Sequence, residues 1–301
     1  MQKAYLMALY ELASKDNRVL SLLADSGTGY DELFQRDFPN QLIDFGIAEE
    51  HMVGAAAGLA TCGKIPFVYT AGAFLAYRSF EFIRNDVCLQ NLNVKLVGMG
   101  SGLAWSTLGP THHTTEDISV LRAIPNLTIF SPSCPREVEE AVKAAYEIDG
   151  PVYIRIGMNA EPDIYDENYN FVTGKNIQVR EGNDIAIFTT GSIASEVVKA
   201  ADLLKEEGKS VSVYQVHTIK PFDEQSVLEA AKTHNMIVTV EEHNIYGGLG
   251  SIVSEIVAEH GLAKKVKRIG LPDVFAKGYG SHYDVRCQNG LDADSLVKQL
   301  L

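Results

Sequence analysis

Long apolar runs are absent from this sequence. The most sustained one, Val53 to Ala60 (V-G-A-A-A-G-L-A), is too short to cross a bilayer, so no membrane is expected as a partner. The N-terminus, M-Q-K-A-Y-L-M-A-L-Y-E, lacks the unbroken apolar core and cleavage site of a secretory signal, which leads to the expectation of a cytoplasmic location. Basic clusters are absent too. Lys and Arg number 26 against 39 Asp and Glu, the net charge is −13, and no block of cations offers a footprint for a phosphate backbone. Nucleic acid is therefore not an expected partner. The four cysteines, Cys62, Cys88, Cys134 and Cys287, never fall in C-x-x-C spacing, which argues against a zinc site and a disulfide framework and for reduced thiols. Tryptophan occurs once, at Trp105. No repeat period and no low-complexity segment is visible.

What is present is a chain of 301 residues, 46% hydrophobic and 22% charged, the composition of a globular protein long enough for two domains. Short β-branched or apolar runs alternate with helical patterns, the signature of an α/β fold with parallel sheets and crossover helices. Strands are expected near residues 18–24, 41–45, 66–70, 94–98, 127–130 and 152–156, with helices beginning near Glu49, Phe74, Glu116 and Pro135. Residues 158–184 break the rhythm with Pro, Gly, Asn and acids. A second, smaller alternation opens at D-I-A-I-F-T-T-G and runs on to a last strand near 266–269. The expected organisation is a first domain over 1–165, a linker over 166–183 and a second domain over 184–301.

In open α/β sheets ligands bind beyond the carboxyl ends of the strands, and three segments qualify there. The first is D-F-G-I-A-E-E-H-M (Asp44 to Met52), which sets Glu49 and Glu50 at the mouth of a helix built of small residues. The second is T-A-G-A-F-L-A-Y-R-S-F, where Phe74, Tyr77 and Phe80 recur at helical spacing, a pattern that more often means packing than a binding face. The third is L-G-P-T-H-H-T-T-E-D, a Gly-Pro turn carrying His112 and His113. Adjacent histidines point apart and make a poor metal chelate, but one loop histidine can serve as an acid, base or hydrogen-bonding group. Arg155 ends the strand P-V-Y-I-R-I-G, where a guanidinium either forks onto an anionic ligand or pairs with a structural acid.

Taken in order, G-I-A-E-E-H-M, then G-K-I-P-F-V-Y-T-A-G-A-F-L-A-Y-R-S-F-E-F-I-R, then L-G-P-T-H-H, then L-R-A-I-P-N-L-T-I-F-S-P-S-C-P-R-E-V-E-E-A resemble the pyrimidine-binding domain of transketolases. From G-N-D-I-A-I-F-T-T-G onward, through H-T-I-K-P-F-D and V-E-E-H-N-I-Y-G-G-L-G, the chain resembles the transketolase C-terminal domain. The resemblance implies a two-domain α/β chain using thiamine diphosphate and Mg²⁺ to move a two-carbon glycolaldehyde unit from a ketose to an aldose. The family's G-D-G motif, which with a downstream Asn holds the diphosphate and its metal, occurs nowhere here. The chain thus looks like the C-terminal subunit of a split transketolase, completed by an N-terminal subunit that carries the diphosphate-binding domain. A heterotetramer built on a self-associating pair of this chain is the assembly implied.

Carried over position by position, Glu49 matches the glutamate that bonds the aminopyrimidine and drives its imino tautomer. Phe74 matches the ring that stacks on the pyrimidine, with Tyr77 as the alternative, and Asp25 aligns with an aspartate near the cofactor. His112 matches a histidine that contacts substrate oxygens, and Arg155 the arginine that grips the substrate's terminal phosphate. No residue of this chain is assigned to the metal. The departures bear on the substrate. Leu108 stands where the family has an aspartate, Gly100 where it has a histidine, and residues near Gln2 and Gly29 where it has the rest of a phosphate clamp. A modified sugar such as a 6-deoxy-6-sulfofructose-type sulfosugar is therefore one alternative, and Trp105 either fills part of the vacated pocket or packs in the core. Further alternatives are a 1-deoxyxylulose-5-phosphate synthase-like or 2-oxo acid dehydrogenase β-like subunit, or a binding module that has lost its chemistry. The tail K-G-Y-G-S-H-Y-D-V-R (Lys277 to Arg286) has no assigned place.

Overall fold

The computed structural model describes residues 1–26, 31–167 and 169–301; Gly29 lies outside the described residues. Its strands are β1 (Val19–Leu23), β2 (Leu42–Asp44), β3 (Ile65–Ala71), β4 (Lys95–Met99), β5 (Thr128–Phe130), β6 (Val152–Ile156), β7 (Ile177–Arg180), β8 (Ile185–Thr190), β9 (Val211–Gln215), β10 (Thr218–Lys220), β11 (Met236–Asn244) and β12 (Lys265–Leu271). They form two sheets, in the orders β10-β5-β6-β4-β3-β1-β2 and β12-β11-β8-β9-β7. All pairings are parallel except at one edge of each sheet, where β10 runs against β5 and β7 against β9. The chain is thus a two-domain α/β protein with mainly parallel sheets, as the alternation implies.

The interior strands β1, β3, β4, β6 and β8 are buried at every position, the burial expected of parallel strands covered on both faces. Helix Glu49–Thr61 shows why its residues are small. It buries Glu49, Met52, Val53, Ala56 and Ala57 on one stripe against β3, and at Gly54 it lets Phe82 of the neighbouring helical segment come close. Large side chains on that stripe would push the helix off the sheet.

Helices Asp31–Asp37 and Ala293–Leu300 go beyond the sequence reading, and so do four elements that shape the domains. Helix Gln2–Lys15 precedes β1, packs on helix Pro135–Glu147 and stacks Tyr5 on Tyr69 at 4.9 Å. Strand β7 lies inside the expected linker. Strand β10 comes from H-T-I-K-P-F-D, expected in the second domain, yet it completes the first sheet by pairing Thr218 with Phe130. The unplaced tail forms helix His282–Gln288, opened by a reciprocal cap between Ser281 and Asp284.

The helix expected near Phe74 also differs in kind. Residues Phe74–Arg78 and Ile83–Cys88 wind in wide turns of the i→i+5 type, with a single α-helical turn at Phe80–Phe82 between them. Because a wide turn advances less angle per residue, Phe74, Tyr77 and Phe80 do not share a face. Phe74 faces a cavity, Tyr77 turns to Glu116, and Phe80 packs on the core.

Candidate active site

A cavity of about 480 Å³ opens beyond the carboxyl ends of the first sheet. It collects Ala24, Asp25 and Ser26 after β1, Thr70 and Ala71 at the end of β3, Met99 at the end of β4 and Met158 after β6, together with Glu49 from the start of its helix. This is where a parallel sheet delivers its ligand-facing residues. A larger open groove of about 830 Å³ runs between residues 162–170 and β7, where Arg180 and Lys199 are each already paired with an acid, Asp202 and Glu196. The smaller cavity gathers the groups with chemical potential.

Glu49 is 2% exposed, yet its carboxylate is not alone. Arg78 Nη1 donates to Glu49 Oε2 at 2.7 Å, and the same guanidinium lies over the Phe74 ring at 4.9 Å. His112 meets Phe74 edge to face at 5.1 Å, and Trp105 meets His112 at 6.1 Å, so Phe74, His112 and Trp105 form a row along the wall. Thr111 Oγ1 sits 2.9 Å from His112 Nδ1 and orients the ring. Asp25 adopts φ +49°, a left-handed turn that Asp tolerates, with its backbone N–H donating to Asp44 Oδ1 at 3.3 Å. The structure therefore brings Glu49, Phe74, His112 and Asp25 to one cavity.

It does not bring Tyr77 or Arg155 there. The Tyr77 hydroxyl donates to Glu116 Oε2 at 2.9 Å and accepts from the Glu116 backbone N–H. Burial of that hydroxyl and the nearby Asp117 and Glu116 carboxylates push its pKa up, keeping it a neutral donor. Arg155 is 1% exposed and is not among the residues lining this cavity. Its Nε donates to both oxygens of the buried Asp117 at 3.1 and 2.9 Å, and its Nη2 donates to the carbonyls of Thr114 and Glu242 at 3.0 Å each. The structural ion pair, not the anion clamp, is what this arginine makes here. A strand alternates its side chains, and Arg155 falls on the face turned toward the second domain, whereas Met158, just past the strand, reaches the cavity.

The two histidines of the turn separate as well. His112 lines the cavity, while His113 is 3% exposed, has no hydrogen-bond partner on either ring nitrogen, and is pushed down in pKa by burial. Trp105 fills the space over Gly100: a Cβ on Gly100, whose φ is +80°, would run into the indole ring. Trp105 also packs against the core of the first domain, so it lines the cavity and the core at once. Arg78 was the residue missed. Its only sequence signal is its position four residues after Phe74 in a segment read as aromatic packing.

Residues 1–160 match the family described as transketolase, pyrimidine binding domain, and residues 174–295 the transketolase, C-terminal domain. The chain is 42% identical to one of the subunits of the apulose-4-phosphate transketolase of Actinobacillus succinogenes, over 88% of this chain and 85% of that one. It is 36% identical to a 6-deoxy-6-sulfo-D-fructose transketolase subunit of Clostridium sp. (strain MSTE9), over 99% and 92%. A split gene transketolase solved as an inactive beta4 tetramer superposes with a TM-score of 0.90 at 35% identity, covering 99% of this chain and 95% of that one. The chain belongs to the transketolase family, whose membership implies thiamine diphosphate as cofactor. Within that family it is a transketolase-type transferase subunit of the split, two-chain kind.

Proposed function

We propose that this chain is the C-terminal subunit of a cytoplasmic two-chain transketolase. With an N-terminal subunit carrying the diphosphate-binding domain, it moves a glycolaldehyde unit from a ketose to an aldose. The observation that carries this reading is a buried carboxylate, Glu49, opening into a cavity beside an aromatic face, Phe74, and opposite an imidazole, His112.

Thiamine diphosphate fits this half-site. A flat heteroaromatic ring needs an apolar face and a carboxyl at its edge, and Phe74 with Ile47 and Ala71 supply the first while Glu49 supplies the second. Bound there, the cofactor supplies the carbon nucleophile for breaking and remaking a carbon–carbon bond. Glu49 would hold the ring by its edge through a shared proton, and with almost no water around the carboxyl such a hydrogen bond would be stronger than in solvent. Arg78, within 2.7 Å, balances the charge whenever Glu49 is ionised. His112, fixed by Thr111, would donate or accept at substrate hydroxyl oxygens, and Asp25 lines the same cavity. Mg²⁺ and the diphosphate belong mainly to the partner subunit, and a heterotetramer built on a pair of this chain is the assembly.

A sulfosugar is the second reading for the substrate. None of the described residues lining the cavity is Lys or Arg, and Gln2, Trp105 and Leu108 occupy it instead, a wall that suits the single charge of a sulfonate better than the nearly double charge of a phosphate. The test is reconstitution with the partner, thiamine diphosphate and Mg²⁺. Ketose turnover is expected from the wild type, and none from Glu49→Gln; wild-type rates in that variant would overturn the assignment. Decarboxylation of pyruvate by the same pair would favour a synthase-like or dehydrogenase-like activity instead. Comparing kcat/KM for a sugar phosphate and a 6-sulfo sugar decides between the substrates.

A further inference from the structure

The loop that carries Trp105 and His112 leaves the first sheet after β4 and returns before helix Asp117–Leu121. Its neck is closed by two backbone bonds, Gly102 N–H to the Thr114 carbonyl at 3.0 Å and Thr114 N–H to the Gly102 carbonyl at 2.9 Å. What holds that neck comes from the second domain. At the end of β11, Glu242 Oε1 accepts from the Leu103 N–H at 2.5 Å, the Glu242 carbonyl and the Thr114 carbonyl accept from the same Arg155 nitrogen, and the Asn244 N–H donates to the Thr115 carbonyl at 2.7 Å. Both ends of the loop are thus tied to one strand of the other domain. Leu103 itself is fully buried among second-domain residues such as Ile193, Val240 and Val285. Gly102, at φ +62°, is glycine because a Cβ there would collide with the Glu242 carboxylate.

Glu242 is itself fixed by the tail. His282 Nε2 lies 2.6 Å from its Oε1 and Arg286 Nε donates to its Oε2 at 2.7 Å, while Arg286 Nη2 reaches Ser192 Oγ at 3.0 Å. A buried carboxylate with this many directed partners has one orientation available to it. We propose that Glu242, held by His282 and Arg286, is a positioning residue through which the second domain sets where Trp105 and His112 stand in the active-site cavity. The tail from Lys277 to Arg286 then has a role at the site without touching it. The effect on turnover rests on the function proposed above; the position of the loop does not, and it can be read alone.

The only tryptophan in the chain is on this loop, so its fluorescence reports the loop's position directly. In the full chain, Glu242→Gln is expected to shift Trp105 emission to the red and at least double its quenching by acrylamide, with a cooperative melt retained. Arg286→Lys, which keeps the charge but cannot reproduce the same bonds, is expected to fall between. His234→Ala serves as control, since it removes buried contacts of the same domain, to Ser212 Oγ and the Gly182 carbonyl, that touch neither the loop nor Glu242, His282 or Arg286, and should lower the melting temperature without altering quenching. If Glu242→Gln does not fold, His282→Gln decides, because Arg286 still anchors the carboxylate in it. Unchanged emission and quenching in a folded Glu242→Gln, or in His282→Gln where Glu242→Gln does not fold, would overturn the proposal. Reconstituted with its partner, a folded Glu242→Gln is expected to show a raised KM for sugar with a smaller change in kcat.

Discussion

At the start of the small-residue helix, Glu49 and Arg78 depend on each other. Glu49 is almost dry, and Arg78 is the only cation paired with it among the described residues. Arg78 is 43% exposed, so solvent takes up part of its loss and the buried carboxylate bears the rest. Arg78→Met is expected to cost about 1–3 kcal/mol in unfolding free energy, the penalty of leaving a buried polar group unpaired. Glu49→Gln with Arg78→Met should recover most of it, a coupling of about 1 kcal/mol or more in a double-mutant cycle by urea unfolding, whereas additive losses would mean the pair is not coupled. At this scale the sequence was legible where a residue sits in an ordered local motif. Glu49 and Phe74 in their segments and His112 in its turn all reach the cavity. Arg155 did not follow, because its partner Asp117 comes from another element and nothing in local spacing announces it. Arg78 was hidden for the same reason, its partner lying across the helix–sheet junction.

Elements show the same division. Buried strands such as β3, seven residues with none exposed, announce themselves as continuous apolar runs. The edge strands β7 (I-Q-V-R) and β10 (T-I-K) are short and partly polar, and they exist because a distant strand offers them hydrogen bonds. The Arg155–Asp117 pair joins β6, the helix after the His112 turn and β11, so it belongs to this scale. Arg155→Met is expected to lower stability by about 3–5 kcal/mol, since it strands a buried carboxylate. Arg155→Lys should lower it less. If Arg155 instead gripped a substrate anion, Arg155→Lys would raise KM and leave the unfolding midpoint unmoved.

Glu137 makes a second junction, accepting from the Ser133 N–H at 2.6 Å, from Gln215 of β9 at 3.2 Å and from the Tyr165 hydroxyl. Burial pushes its carboxyl up from 4.5 to about 7, against the pull of those donors. An acid raised in the folded state contributes stability that is full below the unfolded pKa and lost as pH climbs through the folded one. The melting-temperature advantage of wild type over Glu137→Gln is therefore expected to be largest near pH 4 and to shrink as pH rises through about 7. A difference that grows over that window would show that Glu137 is already ionised there.

Over the whole molecule, two rounds of strand–helix alternation give the two domains, but not the strand that crosses back between them or the grip of the second domain on the first domain's loop. Nor does alternation reveal the apolar rim of the cavity. The rim carries exposed apolar side chains, Ile47 at 78% and Leu108 at 48%, which water would disfavour unless another chain covers them. Among the described residues no group of three or more His, Cys, Asp or Glu side chains is gathered where a metal could sit, and no Lys or Arg lines the cavity to meet a diphosphate. On the function proposed above, this chain holds the ring end of the cofactor and its partner the charged end. Alone, it is expected to melt at the same temperature with or without Mg²⁺ or a chelator, and to gain little from thiamine diphosphate, because a ligand stabilises only as far as it binds. Joined to its partner, the same chelator should abolish turnover and added Mg²⁺ should restore it. Turnover of a ketose by this chain alone, dependent on Mg²⁺, would mean that the metal and diphosphate are held here after all.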